Sequence, residues 1–141
     1  MFIKQISIFV ENSFGTAAET LDILSKANIN ISPLSIADSS DSGIMHLIVD
    51  DTDKALKLLK DAGIMVKCND VLAIPMADKP GGLSIILNIL KTANISIDYM
   101  YAFVGKQLEN AIVVAKVDKN DKAVKALEAN GITPLGVNEV F

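Results

Sequence analysis

The sequence has very little of what redox, metal and imidazole chemistry require. Its 141 residues include one cysteine, Cys68, and one histidine, His46. A single cysteine cannot form an internal disulfide or a cysteine-based metal cluster. A single imidazole excludes any site that needs two of them, and a Ser–His–Asp arrangement would have to use His46. We expect no bound metal and no cofactor.

Basic charge and long apolar segments are also scarce. Lys and Arg number 13 against 17 Asp and Glu, a formal net charge of -4, and such a protein has no general attraction for nucleic-acid phosphates. The longest uncharged runs, 27–37 and 80–90, each hold 11 residues, whereas a membrane-spanning helix needs about 20 apolar residues. The first residues contain no basic segment leading into an apolar stretch, so we expect no signal peptide and a cytoplasmic protein.

What the sequence does have is an apolar, repeated pattern. Half of the residues are hydrophobic and 21% are charged, which excludes an intrinsically disordered chain. The segment Ala27–Ile31 recurs as Ala93–Ile97, and Gly15 recurs as Gly81, both at an offset of 66. Such self-similarity is typical of a chain built from repeated structural units.

The repeat also places the domain boundary. The segment Asp53–Ala55 recurs as Asp121–Ala123 at an offset of 68, so the second copy carries two more residues, which we place in the loop 105–110. We therefore predict two domains, residues 1–68 and residues 69–141.

Each copy has the same predicted order of elements. In the first copy, residues 6–10 alternate as in a strand, and Ala17, Leu21 and Leu24 recur at helical spacing. Two further strands, a second helix beginning near Asp51 and ending at Gly63, and a last strand follow. The order β-α-β-β-α-β is that of ferredoxin-like units. We predict an α+β fold of two such units in tandem, with antiparallel sheets and both helices of each unit on one face.

The two sheet faces are expected to have different roles. Met45, Leu47 and Val49 point to one side and are predicted to meet the helices. The opposite side carries Ile44, His46, Ile48, Ile112 and Val114. Because a large exposed apolar patch usually marks an interface, we predict that this face associates two copies into a homodimer.

Two prolines restrict the strand pairing. Proline cannot donate a hydrogen bond to a sheet, so Pro33 is expected at a sheet edge or at the start of a strand. Pro75 falls inside the expected central strand 71–76, where we predict a bulge or a local break in pairing.

The turn between the first strand and the first helix of the second copy is the most specific local motif. It reads Asp78-Lys79-Pro80-Gly81-Gly82-Leu83. Its glycines permit close approach of another group, and the free N–H groups at the start of the helix favour a carboxylate.

Together with the repeated β-α-β-β-α-β order and the stretch 93–97, this turn resembles the ACT domain. The resemblance covers nearly the whole chain. It implies a module that binds a free amino acid and regulates metabolic enzymes without catalysis of its own. The ligand is then expected where two domains meet, between the glycine turn of one domain and the helix-to-strand turn of the other. The ligand-binding positions implied in this way are Asn12, Phe14, Gly15, Asn30, Ile31, Asp78, Pro80, Gly81, Gly82, Leu83, Ser96 and Ile97.

The first copy departs from the family pattern, with Phe14 in place of proline and Ala17 in place of leucine. The amide of Asn30 donates and accepts hydrogen bonds through separate groups, which makes it better equipped than the single hydroxyl of Ser96. We therefore favour a composite site in which the N–H groups of Gly81 and Gly82 hold the carboxylate, Asp78 the ammonium group, and Asn30 either end of the amino acid.

Other functions remain open at the level of the sequence. The alternative is that the protein is the regulatory subunit of a separate biosynthetic enzyme, in the manner of the small subunit of acetolactate synthase, and contacts a catalytic partner through its apolar sheet face. A small enzyme that uses Asp78 or His46 is the least favoured, because no acid–base constellation surrounds either residue. His46 is expected to be a packed or interfacial histidine.

Two further sets of polar residues have structural explanations. The acidic residues Asp50, Asp51 and Asp53 precede a helix and need no metal. Tyr99 and Tyr101 share one strand face, where core packing explains them, although their hydroxyls could also line a ligand pocket near Ser96.

Overall fold

The computed structural model describes residues 2–11, 15–38, 42–104 and 111–141. Its backbone forms two compact units, Lys4–Asn69 and Asp70–Phe141, the second of which includes Met1–Ile3. The elements are β1 (Ile3–Glu11), α1 (Thr16–Lys26), β2 (Ile31–Asp38), β3 (Ser42–Val49), α2 (Thr52–Asp61), β4 (Val66–Met76), α3 (Gly82–Thr92), β5 (Ile97–Val104), β6 (Ala111–Val117), α4 (Asn120–Ala129) and α5 (Val137–Val140).

The first unit is an antiparallel sheet with two helices on one face. β3 lies between β2 and β1, and its pairing with β1 runs from Ile6 opposite Leu47 to Glu11 opposite Ser42. The helices α1 and α2 bury Leu24 and Leu59 against this sheet. The predicted β-α-β-β-α-β order is confirmed for this unit.

The second unit repeats this arrangement. β6 lies between β4 and β5, and α3 and α4 bury Ile86, Leu90 and Leu127 in a second core. In place of a last strand, the chain forms a single bridge, in which the N–H of Leu135 donates to the carbonyl of Ala73 at 2.8 Å, and then the short helix α5. The α+β ferredoxin-like fold predicted from the repeat is confirmed.

The helices α1 and α3 end in the same backbone conformation. Asn28 and Asn94 have left-handed φ angles of 59° and 58°, and the next residues, Ile29 and Ile95, return their N–H groups to Leu24 and Leu90 at 3.0 Å. Asparagine tolerates this conformation better than most side chains, and both isoleucines are buried. The second and third residues of the repeated motif are therefore explained by how the helix ends.

The predicted bulge at Pro75 is wrong. Leu72 to Met76 pair with Ala115 to Ala111 without a shift, and Pro75 lies opposite Ile112. The carbonyl of Ala73 accepts from Leu135 on the side away from β6. Because backbone groups two residues apart point the same way along a strand, the missing N–H of Pro75 also faces away from β6. The pairing therefore loses no hydrogen bond.

Pro33 has the predicted kind of position. It lies in β2, which is the outer strand of the first unit, between Ile31 and Leu34, where the register of the β2–β3 pair shifts. An edge strand can accommodate the lost donor because one of its sides has no partner strand.

The two sheet faces correspond to the prediction on one side only. Met45, Leu47 and Val49 belong to the core beneath the helices, as predicted. The expectation of an open opposite face is wrong, because Ile48, Ile112 and Val114 are each 0% exposed in the single chain. These side chains are not available to a second copy, so the reason given for a homodimer does not hold.

Within the described part of the chain, no helix has the length and apolar character needed to cross a membrane.

Candidate functional site

The glycine turn of the second unit is a tight entry into α3. Gly81 has a left-handed φ of 87°, and its carbonyl accepts the N–H of Ile85 at 3.1 Å. A side chain on Gly82 would overlap the backbone carbonyl of Ala77. Glycine is therefore required at the two positions for different reasons. Gly81 has a backbone conformation that disfavours side chains, and Gly82 lies close to another backbone segment.

One of the two predicted carboxylate donors is already used. The N–H of Gly82 donates to the carbonyl of Lys79 at 3.0 Å, which closes the turn. The assignment of Gly82 as a free donor is therefore wrong. The next N–H groups, those of Leu83 and Ser84, lie in the first turn of α3, where a helix provides no carbonyl partner.

The corresponding turn of the first unit is described only from Gly15 onward. Gly15 has a φ of 79°, and its carbonyl accepts the N–H of Glu19 at 2.8 Å, as Gly81 does in the second unit. Thr16 stands where the second unit has Gly82. The predicted positions Asn12 and Phe14 lie outside the described residues.

A cavity of about 460 Å³ adjoins the start of α1. Phe9, Thr16, Thr20, Gly63 and Met65 contribute to its walls, and the ammonium group of Lys67 lies 5.7 Å from the ring centre of Phe9. Sequence reasoning missed this cavity, because its walls come from three segments that the repeat pattern does not connect.

The helix-to-strand turns carry the other predicted residues, and an aspartate holds each of them. In the first unit, the N–H of Asn30 donates to Oδ1 of Asp50 at 3.1 Å, and the N–H of Asp50 donates to the carbonyl of Asn30 at 3.2 Å. In the second unit, Ser96 and Asp118 form the same two bonds at 3.0 and 3.1 Å. We call each pair a carboxylate clamp.

Each of these turns borders a hollow. The hollow of the first unit measures about 320 Å³, and that of the second about 470 Å³. Asn30 and Ile31 line the first, and Ser96 and Ile97 occupy the same places in the second. The lining charges differ, because Asp22 lines the first hollow and Lys91 lines the second.

Within one unit, the glycine turn and the helix-to-strand turn cannot touch one ligand. They lie at opposite ends of the same helix, and α1 and α3 each have 11 residues. At a rise of 1.5 Å per residue, such a helix is roughly 16 Å long. A site that uses both kinds of turn needs two units.

His46 is a packed histidine with polar partners that the sequence did not reveal. It is buried, and its Nδ1 lies 2.9 Å from Oγ of Ser7 and 3.3 Å from Nε2 of Gln5 on the neighbouring strand. An amide nitrogen can only donate, so this geometry favours a neutral ring with an unprotonated Nδ1. Burial lowers the pKa of His46, which has the same effect. The partners become visible only when the register places Ser7 opposite His46.

The acidic residues after β3 act on the backbone. Asp50 forms the clamp, and Oδ1 of Asp51 accepts the N–H of Lys54 at 3.2 Å, which caps α2. Among the residues that the structure describes, no group of three or more His, Cys, Asp or Glu side chains could hold a metal ion.

The two tyrosines of β5 lie on the same face of the strand, and both are partly buried. Tyr99 lies opposite Lys116 and Tyr101 opposite Val114. Burial raises the pKa of Tyr101 above its usual range, and the neighbouring Tyr99 raises it further. Lys116 forms an ion pair of 2.7 Å with Asp98, whose hydrogen bond is the main reason that the pKa of Lys116 is raised.

Comparison with known proteins identifies the architecture. The model of a family described as an ACT domain pair matches residues 1–134. The solved structure of protein BT0572 from Bacteroides thetaiotaomicron is 38% identical, with a TM-score of 0.91, over 99% of this chain and 96% of that one. No curated protein matches the sequence.

More distant structures share the fold. The regulatory subunit of aspartate kinase from Thermus thermophilus has a TM-score of 0.68 at 17% identity, over 91% of this chain and 90% of that one. The corresponding subunit from Thermus flavus has a TM-score of 0.63 at 15% identity, over 89% and 90%. The match across residues 1–134 and the two ferredoxin-like units lead to one conclusion: the chain belongs to the ACT domain pair family.

Proposed function

We propose that this protein binds a free amino acid and regulates amino-acid metabolism, without chemistry of its own. Residues 1–68 and 69–141 each form one ACT domain in this proposal. The observation that carries it is the repetition of one device in both units, a hollow beside a helix-to-strand turn that an aspartate clamps. Membership of the ACT domain pair family supports the same assignment.

The proposed contacts follow from the geometry of the two turns. The N–H groups of Leu83 and Ser84, with the positive end of the α3 dipole, are suited to the carboxylate of an amino acid. Asp78 is exposed and is assigned to the ammonium group, and Pro80 and Gly81 shape the approach. The side-chain amide of Asn30 is exposed, while its backbone is held by Asp50.

In this proposal, one ligand is bound by the glycine turn of one domain and the helix-to-strand turn of another. The glycine turn at Asp78 is paired with the helix-to-strand turn at Asn30, and the glycine turn at Gly15 with that at Ser96. This pairing is needed because the length of α1 and α3 keeps the two turns of one unit apart. The homodimer expected from the sequence remains a prediction, and a face other than that of Ile48 has to form it.

A second candidate function is that of a regulatory subunit for a separate catalytic enzyme. The regulatory subunit of aspartate kinase from Thermus thermophilus matches this chain over nearly its whole length, and it has the same fold. This analogy favours a catalytic partner of the aspartate-kinase type over one of the acetolactate-synthase type. Co-purification with such an enzyme, whose activity then responds to the bound amino acid, would favour this function.

The test of the main proposal is a thermal-shift screen against each proteinogenic amino acid, followed by calorimetry on those that raise the melting temperature. Binding to the native state raises that temperature by mass action. Asn30→Ser gives the first turn the residue of the second, and Ser96→Asn does the reverse. We expect the first change to weaken binding by about 1–3 kcal/mol, with the reverse change leaving it equal or stronger. The absence of any shift would contradict the proposal.

A further inference from the structure

The carboxylate clamps connect an exposed turn to a strand of the core. Asp50 follows β3 directly, and β3 buries Met45, Leu47 and Val49. Its side chain accepts the N–H of Asn30, and its own N–H donates to the carbonyl of Asn30. The two bonds are antiparallel, so they fix the direction of the Asn30 backbone as well as its position.

The helix-to-strand turn of the first unit is also held at the end that joins α1. Nζ of Lys54 donates to the carbonyl of Ala27 at 3.0 Å, at the point where α1 stops. Between these points, the N–H groups of Asn28 and Ile29 donate to carbonyl groups of α1. The side chain of Asn30 is therefore projected from a backbone that is fixed on both sides.

Helix capping does not account for Asp50. The cap of α2 is Asp51, whose carboxylate accepts the N–H of Lys54. Adjacent carboxylates thus have different roles, one towards the helix and one towards the turn. In the second unit, Asp118 makes the same contact with the turn at Ser96. There the residue at the N-cap position of α4 is Lys119, whose side chain forms no capping hydrogen bond. Of these two contacts, the one with the turn occurs in both units and the helix cap occurs in the first.

We infer that Asp50 and Asp118 are positioning residues of the amino-acid site, which they hold in its binding geometry without touching the amino acid. This inference rests on the proposed function. A turn held in place before binding does not have to be ordered by the ligand, and lower ordering cost appears as higher affinity. A hydrogen bond to a charged acceptor is suited to this role because it is stronger than a neutral one.

The experiment compares Asp50→Ala with Asp51→Ala as a matched control. Both changes remove one exposed carboxylate that accepts one backbone N–H, and the two residues are adjacent. Calorimetry is performed with each proteinogenic amino acid that raises the melting temperature of the unmodified chain. We expect Asp50→Ala to weaken binding on the order of tenfold, or about 1.4 kcal/mol, and Asp51→Ala to leave affinity unchanged while it lowers stability.

Two further measurements separate positioning from general stability. Asp50→Asn keeps a side-chain oxygen as acceptor, so it should restore most of the affinity lost in Asp50→Ala. Amide hydrogen exchange at Asn30 should become faster in Asp50→Ala and stay unchanged in Asp51→Ala. Affinity retained in Asp50→Ala, or an equal loss in both alanine variants, would overturn the positioning role alone. Failure of every amino acid to bind the unmodified chain would overturn the proposed function, and this inference with it.

Discussion

Oγ of Ser7 lies 2.9 Å from Nδ1 of His46, across the antiparallel pair of β1 and β3. Both residues are buried on the sheet face away from the helices, and Gln5 lies beside them. A polar group in such a place has to be hydrogen-bonded, because water cannot replace a missing partner. The hydroxyl and the amide both contact the unprotonated Nδ1, and protonation of Nδ1 would turn the amide contact into a repulsive one.

The first prediction is that stability falls as the pH drops below the ordinary pKa of histidine. Burial lowers the pKa of His46 from 6.5 in the folded protein, so the unfolded chain takes up the proton first. The stabilisation is complete above pH 6.5 and decreases as the pH falls towards the lowered value. Urea unfolding from about pH 7.5 to about pH 5.5 measures this slope. His46→Gln should flatten it, and an equal slope in the variant would assign the effect to other groups.

The second prediction distinguishes the two glycines of the α3 turn. Gly81→Ala places a side chain at positive φ with no atom within 4 Å of it, so we expect a loss of about 1–2 kcal/mol. Gly82→Ala forces a methyl group against the carbonyl of Ala77, and we expect a loss of roughly 3 kcal/mol. Chemical denaturation of both variants measures the difference. Equal losses would mean that the turn can move away from Ala77.

The third prediction concerns the buried sheet face. Ile48→Glu introduces a carboxylate at a position that is 0% exposed, whereas Ile36→Glu introduces it at a position that is 54% exposed. Burial of an unpaired charge costs several kcal/mol, so we expect Ile48→Glu to unfold the protein or to lower its melting temperature sharply. Ile36→Glu should have little effect. Circular dichroism during heating compares them, and a folded, stable Ile48→Glu chain would show that this face opens readily.

The fourth prediction tests why asparagine recurs at the end of α1 and α3. Asn28 has a φ of 59°, so Asn28→Gly should be neutral or stabilising, and Asn28→Ala should lose about 1 kcal/mol. Thermal unfolding gives both values, with Asn94→Gly and Asn94→Ala as the equivalent pair. Amino-acid affinity should stay the same in Asn28→Gly, and a large loss there would assign the side chain of Asn28 to the ligand.

The fold was predictable from the sequence because its signals are local and occur twice. Helical spacing at Leu21 and Leu24, the stop at Asn28 and the cap at Asp51 act within a few residues of the chain. Repetition at an offset of 66 separates such signals from chance. The ACT resemblance was accessible for the same reason, since it depends on short turns in a repeated order.

Other features were decided only by tertiary structure, because they depend on which segments become neighbours. The partners of His46 follow from strand register, and the clamp joins Asn30 to a residue 20 positions away. Pro75 fits without a bulge because of the side to which its backbone points, and Ile48 is buried although its strand pattern predicted an open face. Each of these outcomes depends on a long-range contact, which residue type and local spacing do not specify.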